Sequence, residues 1–271
     1  MTITTTVPLC PAVVTAAGNA MRFRPFSAIV PKEMLPIGDR PALGHVIGEC
    51  LAAGADRVYV VVRPGDTIVP AYIRQLRDEG HPVEAIPENL AGGYGNAAPL
   101  LTLRDQLRRC ELFIVAFGDD LLLGGPAQGA DLAAMLAIAG SGADAVIAAQ
   151  LIDRNDTGSF GIIDVTSPGS SQVAGLRQRP APAAVTEPLA VVSRLVLRPS
   201  ILPLLVPRAA AHGETDLGIA VGEHARSGDV RVHRLAADWV TVGDPCRYYH
   251  ALTRYWRDQP APGTATSEPA C

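Results

Sequence analysis

Two stretches early in the chain combine residue types that could hold a polyphosphate. One is Ala16-Ala17-Gly18-Asn19-Ala20-Met21-Arg22-Phe23-Arg24-Pro25, reached by the apolar run Pro11 to Ala17; the other is Pro31-Lys32-Glu33-Met34-Leu35-Pro36-Ile37. An apolar run that stops at a small-residue loop is how a buried parallel strand meets a phosphate. With Gly18 at the turn, backbone N–H groups can approach a triphosphate closely, and Arg22 and Lys32 supply fixed positive charge.

Those loops need a scaffold, and the pattern of the chain predicts one. Pro41 to Ala53 predicts an amphipathic helix with Pro at its start and Gly54 at its end. Arg57 to Val62 predicts a second strand, Thr67 to Glu79 a second helix and Pro82 to Ile86 a third strand. The order βαβαβ argues for a parallel sheet with helices on both faces. A Gly-rich loop, Ala91 to Gly95, precedes a helix from about Asn96 to Arg109, and the strand Leu112 to Phe117 stops at Gly118-Asp119-Asp120. Loops at the carboxyl ends of parallel strands are where this architecture binds ligands. A helix at Asp131 to Ala139 and a strand at Ala143 to Leu151 follow. Short strands at Phe160 to Val165, Gln172 to Gln178 and Leu189 to Leu197, punctuated by Pro and Gly, then predict an antiparallel or mixed insertion. A helix from about Asp216 to Arg226, a strand from Val230 to Val242 and a helix from Pro245 to Trp256 complete the pattern. The expected fold is α/β: a Rossmann-like, doubly wound mixed sheet with a smaller insertion. Residues 1–257 are expected to form one domain, and 258–271, rich in Pro, Ala, Thr and Ser, a disordered tail.

Composition narrows the function classes. Of 271 residues, 48% are hydrophobic and 18% charged, which favours an ordered globular chain. A net charge of -4 leaves no electrostatic footprint for nucleic acid or an anionic membrane. No apolar run is long enough to span a bilayer, and Met1 to Leu9 lacks the basic and apolar regions of a signal peptide. The expectation is a cytoplasmic protein with no nucleic-acid or membrane partner. The five cysteines, Cys10, Cys50, Cys110, Cys246 and Cys271, form no C-x-x-C pair and read as reduced thiols; the six histidines lack metal-ligand spacing.

Together with Arg22, the run Pro31-Lys32-Glu33-Met34-Leu35-Pro36 resembles the signature loop of sugar-phosphate nucleotidyltransferases, in the form found in bacterial UTP–glucose-1-phosphate uridylyltransferases. Further matches fall in order from about Pro11 to Ala251. Gly93-Tyr94-Gly95-Asn96-Ala97 resembles the family's Gly-Leu-Gly-His-Ala loop beside the base. Phe113 to Asp120 resembles the strand that ends in a metal-binding aspartate, here Asp119. Phe160-Gly161-Ile162-Ile163-Asp164 resembles the Tyr-Gly-Ile-Val-Asp sugar-site strand, Arg179-Pro180 stands where the family has Lys-Pro, and Gly213-Glu214 stands at a sugar-contacting helix start.

The resemblance implies transfer of a nucleoside monophosphate from a nucleoside triphosphate to a sugar 1-phosphate, with UTP and glucose 1-phosphate as the family's substrates. It also implies release of pyrophosphate, Mg²⁺ as cofactor and a homodimer or homotetramer. Both reacting groups are anionic, so catalysis would rest on in-line positioning and charge neutralisation rather than on a protein nucleophile. Residues of about 11–150 would form the nucleotide half and about 151–257 the sugar half. Arg22 and Lys32 would hold the triphosphate, with Ala16, Ala17 and Gly18 giving the backbone room; Glu88, Gly93 and Gly95 would lie along the nucleotide. Asp119 would bind Mg²⁺. Arg179 would clamp the sugar phosphate, and Gly161 and Glu214 would meet sugar hydroxyls. Each also has a plainer use: Asp119 or Glu214 as a helix cap, Arg179 or Glu88 as a surface charge.

Five departures from the family pattern fall at these positions. Ala20 and Met21 replace a glycine and a threonine, and a left-handed backbone at Ala20 would be strained. Glu88 replaces a uracil-reading glutamine; an ionised carboxylate only accepts hydrogen bonds, which suits guanine, or the amino group of cytosine or adenine, better than uracil. Gln178 replaces a glutamate, and Asp216 and Gly218 replace Gln and Thr. Thr241 replaces a second metal-binding aspartate, with Asp238 and Asp244 each an odd spacing away. An altered base, or an unusual sugar or cyclitol phosphate in secondary metabolism, fits these changes. A nucleotide-binding regulator or an impaired homologue is the alternative; a Rossmann dehydrogenase is disfavoured because Gly18-Asn19-Ala20 does not open G-x-G-x-x-G.

Overall fold

The computed structural model of the chain describes residues 9–18, 20–93, 95–206 and 215–257. The expected disordered tail lies outside them. In chain order the strands are β1 (Ala12–Ala16), the two-residue strands β2 (Pro36–Ile37) and β3 (Arg40–Pro41), β4 (Val58–Val62), β5 (Val83–Pro87), β6 (Phe113–Phe117), β7 (Asp120–Leu123), β8 (Ala145–Leu151), β9 (Gly161–Val165), β10 (Val173–Gln178), β11 (Leu189–Leu197), β12 (Val230–Arg234) and β13 (Asp238–Thr241). The helices are α1 (Ala42–Ala52), α2 (Ile68–Asp78), α3 (Ala98–Thr102), α4 (Arg104–Leu107), α5 (Ala130–Gly140), α6 (Leu217–His224) and α7 (Pro245–Arg257).

The valines of β1 and β4 are buried on both faces, as strands of a helix-covered parallel sheet must be. Strand β1 pairs in parallel with β4 on one side and β6 on the other, and β4 pairs in parallel with β5. Beyond β6 the sheet turns mixed, because β11 runs antiparallel to β6, β8 and β9. Apolar residues of α1, α2 and α5 cover one face; α3, α4 and α6 cover the other. This is the doubly wound mixed sheet expected.

Strand β11 changes its neighbour along one edge. Its Arg194–Leu197 stretch pairs with β6, while Leu189 and Ala190 pair with β9. Between those stretches the sheet forks: on that edge Val191 to Ser193 face an opening, while on the other edge Val191 still pairs with Ala149 of β8.

The structure departs from expectation in three places. The helix expected over Asn96 to Arg109 is two short helices, α3 and α4, that begin at Ala98. Pro99 fits the first turn, and Leu103 leaves helical geometry at φ -102° and ψ 14°. Thr102 Oγ1 donates to Ala98 O at 3.1 Å and accepts from Asn89 N–H at 3.0 Å, tying this break to the end of β5. The strand expected over Val230 to Val242 is divided between two sheets: β12 joins β8, and β13 pairs with β7. The buried Asp131 carboxylate causes the break by accepting Ala236 N–H at 2.9 Å and Ala237 N–H at 3.1 Å. The third difference is β7 itself, since Gly118-Asp119-Asp120 is a corner between two strands rather than a loop.

Candidate active site

Strand β1 ends at Ala16, and Ala17 and Gly18 carry the chain into the mouth of the sheet. Short 3-10 turns follow at Met21–Phe23, Phe26–Ala28 and Lys32–Met34. They are anchored because Phe23 and Leu35 pack in an apolar cluster with Leu121, Val240, Val242 and Ala251. Ala20 has φ 44° and ψ 41°, the strained left-handed conformation, which costs roughly 1–2 kcal/mol for a residue with a Cβ. Its carbonyl accepts from Ser27 Oγ at 2.8 Å and from Phe23 N–H at 3.0 Å, which holds the turn in place.

The Lys32 ammonium forms an ion pair with Asp119 and lies 3.9 Å from Glu33 Oε1. Burial alone would lower the Lys32 pKa, but the Asp119 and Glu33 carboxylates outweigh it and hold it above its ordinary value. Burial pushes Glu33 up to about 7, against the opposing pull of Lys32. A Cβ built on Gly18 would lie 3.7 Å from Lys32 Nζ, an ordinary contact, so among the described residues no atom demands glycine there.

Asp119 is braced through its carbonyl, which accepts Val242 N–H at 2.8 Å and Thr241 Oγ1–H at 3.2 Å. Thr241, at the position of the absent second aspartate, thus supports the Asp119 backbone instead of offering a charge. Strand β13 has ended before Asp244, whose Oδ2 sits 3.5 Å from Arg22 Nη1 and 3.5 Å from Arg247 Nε. Asp238 pairs elsewhere, with Arg254 at 2.8 Å. A Cβ on Gly243 would lie 3.6 Å from Arg22 Nη2 and 3.8 Å from Asp119 Oδ2, so these two groups flank one glycine. Gly18, Arg22, Lys32 and Asp119 therefore converge at the mouth of β1. Among the described residues no three His, Cys, Asp or Glu side chains gather as a metal cluster. Mg²⁺ commonly takes one or two protein carboxylates and fills its shell with phosphate oxygens and water, so Asp119 alone suits it.

A cleft of about 240 Å³ occupies the fork in the sheet. Phe117, Leu176, Val191, Leu195 and Leu217 make its apolar wall; Asn96, Asp120, Gln178, Ser193 and Asp216 supply polar groups, and Gly161 completes the rim. Beneath it lies a buried polar network. Arg194, fully buried, donates from Nε to Glu49 Oε1 at 2.9 Å and from Nη2 to Glu49 Oε2 at 2.8 Å and Asp120 O at 2.8 Å. Ser193 Oγ donates to the Asp120 carboxylate. Burial, together with the Asp119 charge, raises Asp120 to about 6. Asn96 Oδ1 accepts Leu217 N–H at 2.7 Å, and Asp216 Oδ1 caps α6 by accepting Ile219 N–H at 3.0 Å.

The remaining expected site residues lie apart from the phosphate mouth. Glu88 follows β5 directly, half-buried, with its N–H donating to Val62 O at 2.8 Å. Gly93 has φ 94° and Gly95 φ 131°; a Cβ on Gly95 would come within 2.5 Å of Thr215 O, so this glycine seats its loop against the entry to α6. Arg179 is exposed with φ 47°, lines none of the cleft, and has no side-chain partner among the described residues. Glu214 lies outside the described residues. Asp120 and Ser193 line the cleft, and the sequence reading did not single them out. A larger hollow of about 340 Å³ beside the Asp39–Arg40 pair and Tyr255 contains none of the expected site residues.

A nucleotidyl transferase family model matches residues 11–258 of the chain. The UTP–glucose-1-phosphate uridylyltransferase YngB of Bacillus subtilis is 25% identical over 268 residues, covering 89% of this chain and 88% of that protein. A second B. subtilis UTP–glucose-1-phosphate uridylyltransferase is 28% identical over 234 residues, covering 78% of each. Among solved structures, UTP-bound UGPase from Acinetobacter baumannii superposes with a TM-score of 0.78 at 23% identity, covering 93% of this chain and 95% of that one. A UDP-glucose pyrophosphorylase complexed with UDP-glucose gives 0.77 at 19% identity, covering 93% and 100%. At those identities the superpositions speak for the fold alone.

Proposed function

Because this chain belongs to the nucleotidyl transferase family, we propose that it transfers a nucleoside monophosphate from a nucleoside triphosphate to a sugar 1-phosphate and releases pyrophosphate. The observation that carries this reading is the Lys32–Asp119 pair beside Gly18, at the mouth of the central strand and next to an open cleft. The order of strands supports it. From β5 through β4, β1 and β6 to β11, four strand spacings of about 4.8 Å span roughly 19 Å. That is room for a nucleotide sugar laid across the sheet, with its phosphates over β1 and its sugar at the fork.

In this reading an oxygen of the sugar phosphate attacks the α-phosphorus, and the bond to the bridging oxygen of pyrophosphate breaks. Two anions must approach, so the task is neutralisation and alignment. Lys32 is already charged and shielded from water, and it contacts the triphosphate from the Gly18 side. Arg22, held loosely by Asp244, meets the charge that develops on the leaving pyrophosphate. Asp119 is the residue that would hold Mg²⁺, which neutralises phosphate charge when bound. Polar groups of Asn96, Gln178 and Asp216, together with the backbone at Gly161, are placed for hydroxyls of the acceptor. Glucose 1-phosphate, the substrate in the relatives' names, is the first acceptor to test; exchange of the family's Glu, Gln and Thr for Gln178, Asp216 and Gly218 favours a different hydroxyl pattern.

Pyrophosphate release measured over a matrix of triphosphates and sugar or cyclitol phosphates, with and without Mg²⁺, tests this. Turnover with at least one pair, abolished by chelation, is expected. Tight triphosphate binding with no product from any pair would favour the regulatory reading, for which the engagement of Thr241 with Asp119 is the specific motive.

A further inference from the structure

A sugar phosphate brings negative charge wherever it binds, yet the cleft at the fork offers that charge no cation. Among the described residues that line the cleft there is no Lys, Arg or His, while Asp120 and Asp216 line it with carboxyl groups. A phosphate placed inside it would be a desolvated anion without a partner, which is costly. The phosphate of the acceptor therefore belongs at the rim that faces the mouth, where its oxygen can also reach the α-phosphorus beside Lys32 and Asp119. Arg179, expected for this task, is exposed and lines none of the cleft.

One chain of contacts leads from the mouth to that rim. Arg22 Nη2 and Asp119 Oδ2 flank Gly243. The next residue, Asp244, holds Arg22 Nη1 and Arg247 Nε on a single oxygen, each at 3.5 Å, and its other oxygen accepts the Arg247 N–H at 3.0 Å at the start of α7. The Arg247 guanidinium lies over the Phe160 ring, 5.5 Å from its centroid, and that ring packs edge-on against Trp239. Phe160 leads directly into Gly161 on the rim of the cleft. Arg247 thus stands where mouth and fork meet.

Its tie to Asp244 is weak. Both distances to Asp244 Oδ2 exceed the about 2.7–2.9 Å of a close charge-assisted hydrogen bond, and one carboxylate oxygen cannot saturate two guanidiniums, each of which carries several N–H donors. The Arg247 side chain is 43% exposed, so its remaining donors are open to an anion, while its seat on Phe160 restricts where they point. Resting on the nucleotidyl-transfer reading, we infer that Arg247 is the cation that binds the phosphate of the acceptor. Arg22 serves the triphosphate, and the Asp244 carboxylate between them offsets the repulsion of two like charges that must work side by side.

Steady-state pyrophosphate release by the full chain tests this, with glucose 1-phosphate or whichever sugar or cyclitol phosphate the parent uses fastest. Arg247→Met should raise the KM for the acceptor roughly 10- to 100-fold and leave the KM for the triphosphate within about twofold of the parent's. Arg247→Lys, which keeps the charge and loses the planar fork, should recover part of that loss. The unphosphorylated sugar, used as a competitive inhibitor, should inhibit the parent and Arg247→Met equally, since Arg247 meets only the phosphate. Arg179→Met should leave the acceptor KM unchanged. An unchanged acceptor KM in Arg247→Met, an equal rise for the triphosphate, or a comparable rise in Arg179→Met would overturn the inference while leaving the transferase reading in place. A parent chain that turns over no pair would overturn both.

Discussion

The phosphate mouth and the sugar fork are built in opposite ways. The mouth is made of consecutive residues on short 3-10 turns, with Ala20 strained and Met21, Phe26 and Ile29 exposed. The fork is assembled from strands and helices distant in sequence, over the fully buried Arg194 and its partners Glu49, Asp120 and Ser193. The mouth carries its strain at Ala20 and leaves apolar side chains exposed, although Phe23 and Leu35 anchor it in a buried cluster. The buried network makes the fork rigid, suited to discriminating one acceptor from another. The two meet at the Asp119–Asp120 peptide, which carries the Lys32 partner on one side and the Ser193 partner on the other.

The contrast can be broken most severely at the fork. Arg194→Met would leave Glu49 buried without its partner, and a loss of about 3–5 kcal/mol is expected in urea unfolding; a change below about 1 kcal/mol would mean that the network adds no rigidity. A smaller effect belongs to Glu33, at the junction. Its pKa is raised to about 7 in the folded protein by burial, against an unfolded value near 4.3. The folded state keeps that proton longer, so the associated stability is present in full below the unfolded pKa and is lost as pH rises through about 7. Glu33→Gln should flatten the fall in stability between those pH values by on the order of 2 kcal/mol; an unchanged pH profile would show that Glu33 titrates normally. The smallest effect is at the mouth, where Ala20→Gly should relieve the left-handed strain and gain up to about 1 kcal/mol. Loss of stability there would show that the turn is held without strain.

The same contrast explains what the sequence could reveal. β-Branched runs separated by amphipathic helices were enough to place β1, β4, β5 and β6 and the helices beside them, because period and punctuation are local signals. The mouth was legible for the same reason: Gly18, Arg22 and Lys32 lie within one short stretch, and even the strain at Ala20 follows from one missing glycine. The division of Val230 to Val242 was not legible, because the Asp131 carboxylate that ends β12 lies on α5. Ser193 carried no signal, since its meaning comes from Asp120 across the fork. Of the five cysteines read as reduced thiols, Cys10, Cys50, Cys110 and Cys246 are free, and Cys271 lies outside the described residues. No described helix is long and apolar enough to cross a membrane.

The central claim is that a water-shielded ammonium at the end of β1 makes phosphate transfer work. Its most direct test is the rate of pyrophosphate release by Lys32→Ala, on the donor and acceptor pair that the parent chain uses best. A fall of about 10²–10³-fold with a retained cooperative melt is predicted; a rate close to that of the parent would contradict the account.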